Sequence, residues 1–249
     1  TLFNALTGAR QSVGNWPGVT VERKSGEFTS ENVNVEVIDL PGTYSLTSVA
    51  DVTSIDEGIT CDFINKNEAD IFINVVDASQ LERHLYLTTQ LLEKGVPIIL
   101  ALNMIDIARA RHIKIDKKAL SKHLGCEVIA ISANHGEGLQ ALRTAIVHQA
   151  HHINKPLPLA YPESIVNAVQ KIVSLQNISS STAIHLLEGD VLAEKQANSA
   201  VLQEVLLQQK NIQHEAEEDV DILVAETRYQ FIQTIIEAYV QKNATQHAH

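Results

Sequence analysis

The stretch VIDLPGTYSL, residues 37–46, is the most informative part of this sequence about the fold. It begins with two β-branched residues, Val37 and Ile38, and the acidic residue Asp39 comes next. Leu40, Pro41 and Gly42 follow directly. A carboxylate at the tip of a buried strand is unfavourable unless a positive group lies beside it. A magnesium ion bound to phosphate would supply that charge, with water between, while the Gly42 amide approaches a terminal phosphate. A strand that simply turns after Asp39 is the alternative.

A second polar motif, Asn103-Met104-Ile105-Asp106, follows the apolar run VPIILAL. The Asp106 carboxylate can accept two hydrogen bonds from the ring N–H and the exocyclic amine of guanine, an arrangement that adenine cannot supply. A site built around such hydrogen bonds rejects the wrong base by a large factor. Asn103 would brace the neighbouring loops. The alternative is that Asp106 only caps a helix.

A third motif, Ser132-Ala133-Asn134, follows the strand-like run VIAI, and a backbone N–H of this tripeptide could donate to the guanine oxygen. Gly136 and Gly138 are compatible with a tight turn before a helix. All three motifs stand where a predicted strand ends, which is where open α/β sheets bind their ligands. The combination is far more specific than any one motif.

The bulk composition limits the classes of function. The chain has 249 residues, of which 45% are apolar, so it can bury a sizeable core. Its formal net charge of −11 argues against a nucleic-acid-binding surface, which needs clustered Lys and Arg. Cys61 and Cys126 are far apart, which favours two free thiols in a reducing compartment. No apolar run reaches the roughly 20 residues of a membrane helix, so we expect a soluble chain.

Strand and helix patterns alternate along the first part of the chain. Continuous apolar runs such as residues 70–78 are typical of strands covered on both faces, and helical patterns separate them. This alternation predicts an α/β fold, a mostly parallel sheet flanked by helices. Three prolines between 153 and 162 predict a linker. Beyond it only helical spacing recurs, so we predict an α/β domain at 1–152, the linker at 153–162, and a small all-helical domain at 163–249.

Together, the three motifs resemble a Ras-like GTPase of the P-loop fold, of the TrmE and Era type. Such domains begin with a strand and a G-x-x-x-x-G-K-[ST] loop that runs into a helix. TLFNALTG, residues 1–8, resembles that helix with its phosphate loop cut away.

Two hypotheses follow for the phosphate loop. Either upstream residues have been omitted from the sequence and the protein has the loop, or the chain begins at residue 1 and binds nucleotide poorly. We expect the first, because loss of the central strand would expose the middle of the sheet. An intact mass well above 27.4 kDa would support the first hypothesis, and a match would support the second.

A longer stretch is more distinctive. VGNWPGVTVERKSGEF, residues 13–28, together with DLPGTYSL, INVVDASQLERHLYLTTQLLE, NMID and LLEGD, closely resembles the N-terminal GTPase domain of the ferrous iron transport protein B (FeoB) family. These are bacterial membrane proteins for Fe(II) uptake. The resemblance implies a switch domain at the cytoplasmic face of the inner membrane that binds GTP, hydrolyses it slowly and is linked to a transmembrane region. The helical domain resembles one proposed to slow GDP release.

The resemblance also implies the site residues. Thr20, in switch I, would reach the magnesium ion when GTP is bound, and Asp39 would be a second ligand, through water. Thr20 and Gly42 would serve the catalytic step, with potassium as an activator. The nucleotide-binding residues would be Gly18, Val19, Thr20, Asp39, Leu40, Pro41, Gly42, Asn103, Met104, Asp106, Ser132, Ala133 and Asn134.

Two positions depart from the common GTPase pattern. Met104 stands where many Ras-like proteins carry Lys, so its thioether would cover the base face without charge. Thr43 and Tyr44 follow Gly42 where many GTPases place a water-orienting Gln, which predicts slow turnover. Trp16, in switch I, fits local packing as well as it fits a partner contact or movement with the nucleotide state.

The implied partners are GTP, GDP and the transmembrane region of the same full-length transporter. Self-association stays open, and nucleic acid is not expected. Two rival functions remain. A regulatory module could hold nucleotide without useful turnover. An Era-like GTPase associated with the ribosome or tRNA would need a basic RNA-binding module, which the acidic helical part does not offer.

Overall fold

The computed structural model describes residues 2–8, 11–48, 54–150 and 155–242. Residues 153–154 of the predicted linker and 243–249 of the predicted helical domain lie outside these ranges. The strands are β1 (Gln11–Asn15), β2 (Glu22–Ser30), β3 (Val33–Asp39), β4 (Phe72–Asp77), β5 (Ile98–Asn103), β6 (Ile113–Ile115), β7 (Glu127–Ala130) and β8 (Val240–Lys242). The helices are α1 (Leu2–Thr7), α2 (Ile55–Lys66), α3 (Leu81–Glu93), α4 (Ile105–Ala110), α5 (Lys117–Leu124), α6 (Leu139–Gln149), α7 (Glu163–Leu175), α8 (Ser180–Leu187), α9 (Val191–Glu194), α10 (Ser199–Ala216) and α11 (Val220–Tyr239).

Strands β4, β5 and β7 form a parallel sheet in that order. Alternate residues of β5 pack against α3 on one face, through Leu85, and against α6 on the other, through Leu142. Because β5 is covered on both faces, its residues from Ile98 to Leu102 are almost fully buried. The prediction of a parallel sheet flanked by helices is confirmed. The pairing of Asp77 with Asn103 brings the carboxyl ends of β4 and β5 to one edge.

The first three strands form a separate antiparallel sheet in the order β1-β2-β3. The β2–β3 hairpin turns at Glu31 and Asn32, whose positive φ angles suit a tight two-residue connection. Strand β1 was not predicted, because all five of its residues are exposed and show no alternation. Both β3 and β4 line a cavity of about 410 Å³. Among the described strands, β3 pairs only with β2, and β4 only with β5.

The helical part has its own core. Helices α7, α8 and α10 and the start of α11 enclose buried apolar residues such as Ile165, Ile172 and Val224. The later part of α11 packs on α3 and α5, and its end continues into β8, which pairs antiparallel with β6. The expectation that only helices follow residue 162 therefore needs one correction. Strand β8 is three residues long and its partner is distant in the sequence, so no local pattern indicates it.

A buried ionic cluster fastens α11 to the first domain. Arg228 donates through Nε to Glu93 (2.7 Å) and through its two Nη atoms to Glu188 (2.6 and 3.0 Å). Arg228 also donates to the Tyr86 hydroxyl, and the Tyr161 hydroxyl donates to Glu93. The charged side chains are 1%, 6% and 5% exposed. Burial alone would lower the pKa of Arg228, but the two carboxylates raise it, so the guanidinium stays charged.

A second contact joins the helical part to the loop that follows β3. The Ser48 N–H donates to Asp190 Oδ2 (3.0 Å), and the Ser48 carbonyl accepts from the Val191 N–H (2.8 Å). The other Asp190 oxygen caps α9 by accepting from two backbone N–H groups. His185 Nδ1 lies 3.4 Å from Asp190 Oδ2. The loop after Gly42 is thus attached to the helical part by two hydrogen bonds of the Ser48 backbone.

Replacing Asp190 by alanine is expected to lower the free energy of unfolding by about 2–3 kcal/mol, because α9 loses its cap and Ser48 loses its acceptor. Burial raises the pKa of the Asp190 carboxyl, but hydrogen bonds from His185, Ala193 and Ser48 outweigh it, so the pKa is lowered overall. The folded pKa lies below the unfolded value of about 3.9. The stabilisation is therefore complete above that value and is lost as the pH falls through the folded pKa.

Denaturant unfolding of the wild type and of Asp190→Ala, from neutral pH to about pH 3, measures this contribution. The difference in unfolding free energy should be largest at neutral pH and shrink at the acid end. Asp62→Ala is a suitable control, because Asp62 only forms an exposed ion pair with Lys66 and should contribute less than about 1 kcal/mol. A difference that is the same at both ends of the pH range would contradict the assignment.

Candidate functional site

The polar loops that follow β5 and β7 meet at one edge of the parallel sheet. Asn103 Oδ1 accepts a hydrogen bond from the Ala133 backbone N–H (3.1 Å), and the Ile105 N–H donates to the Ile131 carbonyl (3.2 Å). These two bonds hold the loops side by side. The bracing contact expected for Asn103 is present in the structure.

Asp106 lies in the first turn of α4 without acting as its cap. Met104, at φ 59°, occupies the cap position, and no side-chain cap hydrogen bond is formed there. Asp106 is therefore not the N-cap residue, but the backbone N–H groups of Asp106 and Ile107, in the first turn, also lower the pKa of its carboxyl. The Asp106 side chain is 33% exposed. A hydrogen bond with the Ser132 hydroxyl lowers the pKa of Asp106 against the effect of burial, and His135 lowers it further, so the carboxylate is an ionised acceptor at neutral pH.

The loop after β7 is tightly closed. The Ser132 N–H donates to the Glu137 carbonyl (3.0 Å), and Glu137 forms an ion pair with Arg109 of α4 (2.6 Å). Gly138 has φ +77°, and a Cβ there would lie 2.2 Å from the Ala130 carbonyl oxygen. Only glycine fits that position, so the loop returns into α6 without a clash. Asn134 is exposed at the loop surface.

A second polar group lies where β3 ends. Asp39 is exposed, and its carboxylate forms no hydrogen bond or ion pair with the described residues. Leu40, Pro41 and Gly42 continue from it along the wall of the β3–β4 cavity. The Thr60 hydroxyl donates to the Pro41 carbonyl (2.7 Å). The space opposite the Gly42 Cα is open, so a ligand could approach its amide.

Thr20 lies at the same end of the antiparallel sheet as Asp39. It is exposed in the turn that leads into β2, and the pairing of Lys24 with Asp39 sets the start of β2 beside the end of β3. Gly18 shapes this turn with φ +77°. Trp16 is buried, 5.6 Å from Phe63 between ring centroids in an edge-on contact, which favours local packing over a partner contact for this side chain.

The predicted site residues therefore form two groups. The base group contains Asn103, Met104, Asp106, Ser132, Ala133 and Asn134, and the metal group contains Gly18, Val19, Thr20, Asp39, Leu40, Pro41 and Gly42. No hydrogen bond joins one group to the other among the described residues. The Thr20 hydroxyl and the Asp39 carboxylate carry oxygen donors, the type of ligand that Mg²⁺ takes.

Sequence reasoning missed two contributors to these loops. The His135 ring contacts Ser132 and Asp106, and the Arg109–Glu137 pair ties α4 to the loop after β7. The only signal for His135 was its place directly after the Ser132–Asn134 motif. The signal for Arg109 was its place three residues after Asp106, one helical turn away.

Family models match the chain in two parts. The model described as ferrous iron transport protein B matches residues 1–146, and the model of the FeoB cytosolic helical domain matches residues 161–241. The chain is 45% identical over 242 residues to the Fe(2+) transporter FeoB of Salmonella typhimurium. That alignment covers 94% of this chain and 31% of the transporter, so the chain spans about a third of the length of the curated relatives it matches.

Solved structures agree with this match. The cytosolic domain of the T. maritima FeoB iron transporter in its GMPPNP form is 33% identical, with a TM-score of 0.81, over 96% of this chain and 93% of that one. A GDP-bound mutant of the S. thermophilus FeoB G-domain is 36% identical, with a TM-score of 0.85, over 96% and 94%. The chain therefore belongs to the FeoB family, and it carries the family's GTPase-type G domain together with its cytosolic helical domain.

Proposed function

We propose that this chain is the guanine-nucleotide-binding switch of a bacterial ferrous iron transporter and that it hydrolyses GTP slowly. The observation that supports this most strongly is the position of the Asp106 carboxylate, which is 33% exposed and follows a loop that the Asn103–Ala133 hydrogen bond ties to its neighbour. The solved relatives in GDP and GMPPNP forms point the same way.

At the base end, Asp106 would accept hydrogen bonds from the ring N–H and the exocyclic amine of guanine. A backbone N–H of the Ser132–Asn134 loop would donate to the guanine oxygen. Met104, which is 38% exposed beside Asp106, would cover the base face with its thioether. Since adenine offers no matching donors to Asp106, this end sets the choice of base.

At the metal end, the Thr20 hydroxyl and the Asp39 carboxylate would hold Mg²⁺, Asp39 through water. The bound ion would neutralise charge that develops on the phosphates. The Gly42 N–H would donate to the terminal phosphate and so stabilise its charge as water attacks. A potassium ion as activator is part of the same proposal.

The cavity between β3 and β4 supports a further proposal about the phosphates. Two strands of different sheets line it, and among the described strands neither has a second partner. We propose that the phosphates lie at the end of this cavity that Asp39 and Gly42 line, because the space opposite the Gly42 Cα is open to a ligand.

The wider role of the chain is also a proposal, because the chain spans 31% of the transporter it matches. The switch would lie at the cytoplasmic face of the inner membrane, joined to the transmembrane region, with self-association as a further possibility to test. None of the helices among the described residues has the length and apolar character needed to cross a bilayer. The Ser48–Asp190 contact would let the helical domain respond to the loop after Gly42 and slow GDP release.

Phosphate release from GTP, with and without potassium, on protein of verified N-terminus tests the enzymatic part. We expect slow release that potassium increases, and about 10-fold or greater loss in Thr20→Ala with GDP affinity unchanged, because Thr20 reaches the metal only with GTP. No release in either salt, despite measurable GDP binding, would instead support a regulatory module without turnover.

The Thr43-Tyr44 pair, in place of a water-orienting Gln, favours the regulatory module as the second candidate function. The FeoB family match leaves the Era-like alternative without support.

Trp16 gives an intrinsic probe of switch I, because it is the only tryptophan in the sequence. Its ring packs on Phe63, with the Arg23 guanidinium 5.2 Å above it. If Thr20 moves to the metal when GMPPNP binds, the surroundings of Trp16 change and its emission should shift, with a smaller shift for GDP. Trp16→Phe removes the signal and serves as the blank. Identical emission in the apo, GDP and GMPPNP states would contradict movement of this turn.

A further inference from the structure

We infer that His135 is a positioning residue for base recognition, acting on the Asp106 carboxylate through the Ser132 hydroxyl. The inference rests on the proposed function, because it takes Asp106 as the group that binds guanine. It adds a residue outside the Asn103–Asp106 and Ser132–Asn134 motifs to the determinants of guanine affinity.

The contact geometry selects one form of the histidine ring. His135 Nδ1 lies 2.9 Å from Ser132 Oγ and 3.6 Å from Asp106 Oδ2. Ser132 is 2% exposed, and its hydroxyl lies within the same group of polar atoms and lowers the pKa of the Asp106 carboxyl as a donor would. A serine hydroxyl has a single proton, so a lone pair on His135 Nδ1 would compete with the carboxylate for it. With the proton on Nδ1, His135 donates to Ser132 Oγ and Ser132 donates to Asp106.

His135, Ser132 and Asp106 together form a hydrogen-bond relay. Backbone hydrogen bonds on both sides of Ser132 hold this relay in place. The His135 N–H donates to the Ser132 carbonyl (3.1 Å), and the Ser132 N–H donates to the Glu137 carbonyl (3.0 Å). The Glu137 carboxylate forms an ion pair with Arg109 of α4, so Glu137 already has a positively charged partner. Asp106 is then the carboxylate that faces the His135 ring.

The relay restricts rotation of the Asp106 carboxylate. Guanine needs both carboxylate oxygens presented in the plane of the base, and a carboxylate held in that orientation before binding loses less freedom when the nucleotide arrives. Chains of hydrogen bonds also strengthen one another in a partly buried setting. His135 therefore contributes to guanine affinity without touching the nucleotide.

Titration with a fluorescent GDP analogue tests the relay. His135→Ala should weaken GDP binding about three- to tenfold, which is the effect expected for the loss of one hydrogen bond. His135→Asn should restore most of the affinity, because an asparagine amide N–H can occupy the place of Nδ1–H. His148→Ala is the matched control. Its ring is 63% exposed against 70% for His135 and also lies beside a carboxylate, Glu31, at 3.2 Å.

A second arm separates the relay from a merely structural role of His135. The second arm repeats His135→Ala in a protein that already carries Asp106→Asn. There the affinity for xanthosine diphosphate should change less than about twofold, because the carboxylate at the end of the relay has been removed. Equal losses in both backgrounds, or no restoration by His135→Asn, would overturn the inference. GDP binding that is unaffected by His135→Ala would overturn the inference alone. Absence of GDP binding to the wild type would overturn the proposed function as well.

Discussion

Replacing Asp106 by asparagine is expected to weaken GDP binding by about 100-fold or more and to create binding of xanthosine diphosphate. The asparagine amide cannot accept from both the ring N–H and the exocyclic amine of guanine. Its N–H₂ group instead matches the oxygen that xanthine carries in place of that amine. The large effect follows because a mismatch leaves buried polar groups of protein and base without partners.

Equilibrium titration of both proteins with GDP and xanthosine diphosphate measures this exchange. Asp116→Asn is a matched control, because Asp116 caps α5 by accepting from the Ala119 N–H, and asparagine is an equally good cap. That variant should bind GDP like the wild type. Unchanged GDP affinity in Asp106→Asn would show that another group reads the base.

Replacing Arg228 by methionine is expected to destabilise the protein by about 3–5 kcal/mol. The substitution keeps an unbranched, apolar stem in place of the arginine stem but leaves Glu93 and Glu188 buried without a counter-charge. Because the cluster joins α11 to α3, the contact between the helical part and the G domain should weaken together with the global stability. Denaturant unfolding followed by circular dichroism measures the loss.

Two further variants separate the charge effect from packing. Adding Glu93→Gln and Glu188→Gln to Arg228→Met should recover much of the stability, because no unpaired charge then stays buried. Arg109→Met breaks an exposed ion pair instead and should change the unfolding free energy by about 1 kcal/mol or less. A loss for Arg228→Met no larger than that for Arg109→Met would contradict the importance of the buried cluster.

Local sequence patterns were sufficient to predict the strands that carry the site residues. The run from Ile98 to Leu102 is apolar throughout because β5 is covered on both faces, and that pattern is visible without coordinates. The capping box of Ser54 and Glu57 fixes the start of α2 in the same local way. The three polar motifs could be placed at strand ends for the same reason.

Features that depend on distant contacts could not be predicted. Strand β8 exists only because it pairs with β6, on the other domain. Arg228 finds its acids 135 and 40 residues away, so nothing near it in the sequence marks it as buried. Within the site, the orientation of Asp106 depends on Ser132 and His135, whose side chains meet it only after the chain has folded.

We propose that one bound guanine nucleotide spans the base group at Asp106 and the metal group at Asp39. Calorimetric titration of the protein with GDP and ADP, with and without Mg²⁺, tests it most directly. We expect a single site that prefers GDP over ADP by about 100-fold or more and binds GDP more tightly with Mg²⁺. Equal affinities for GDP and ADP, or no binding of either, would contradict it.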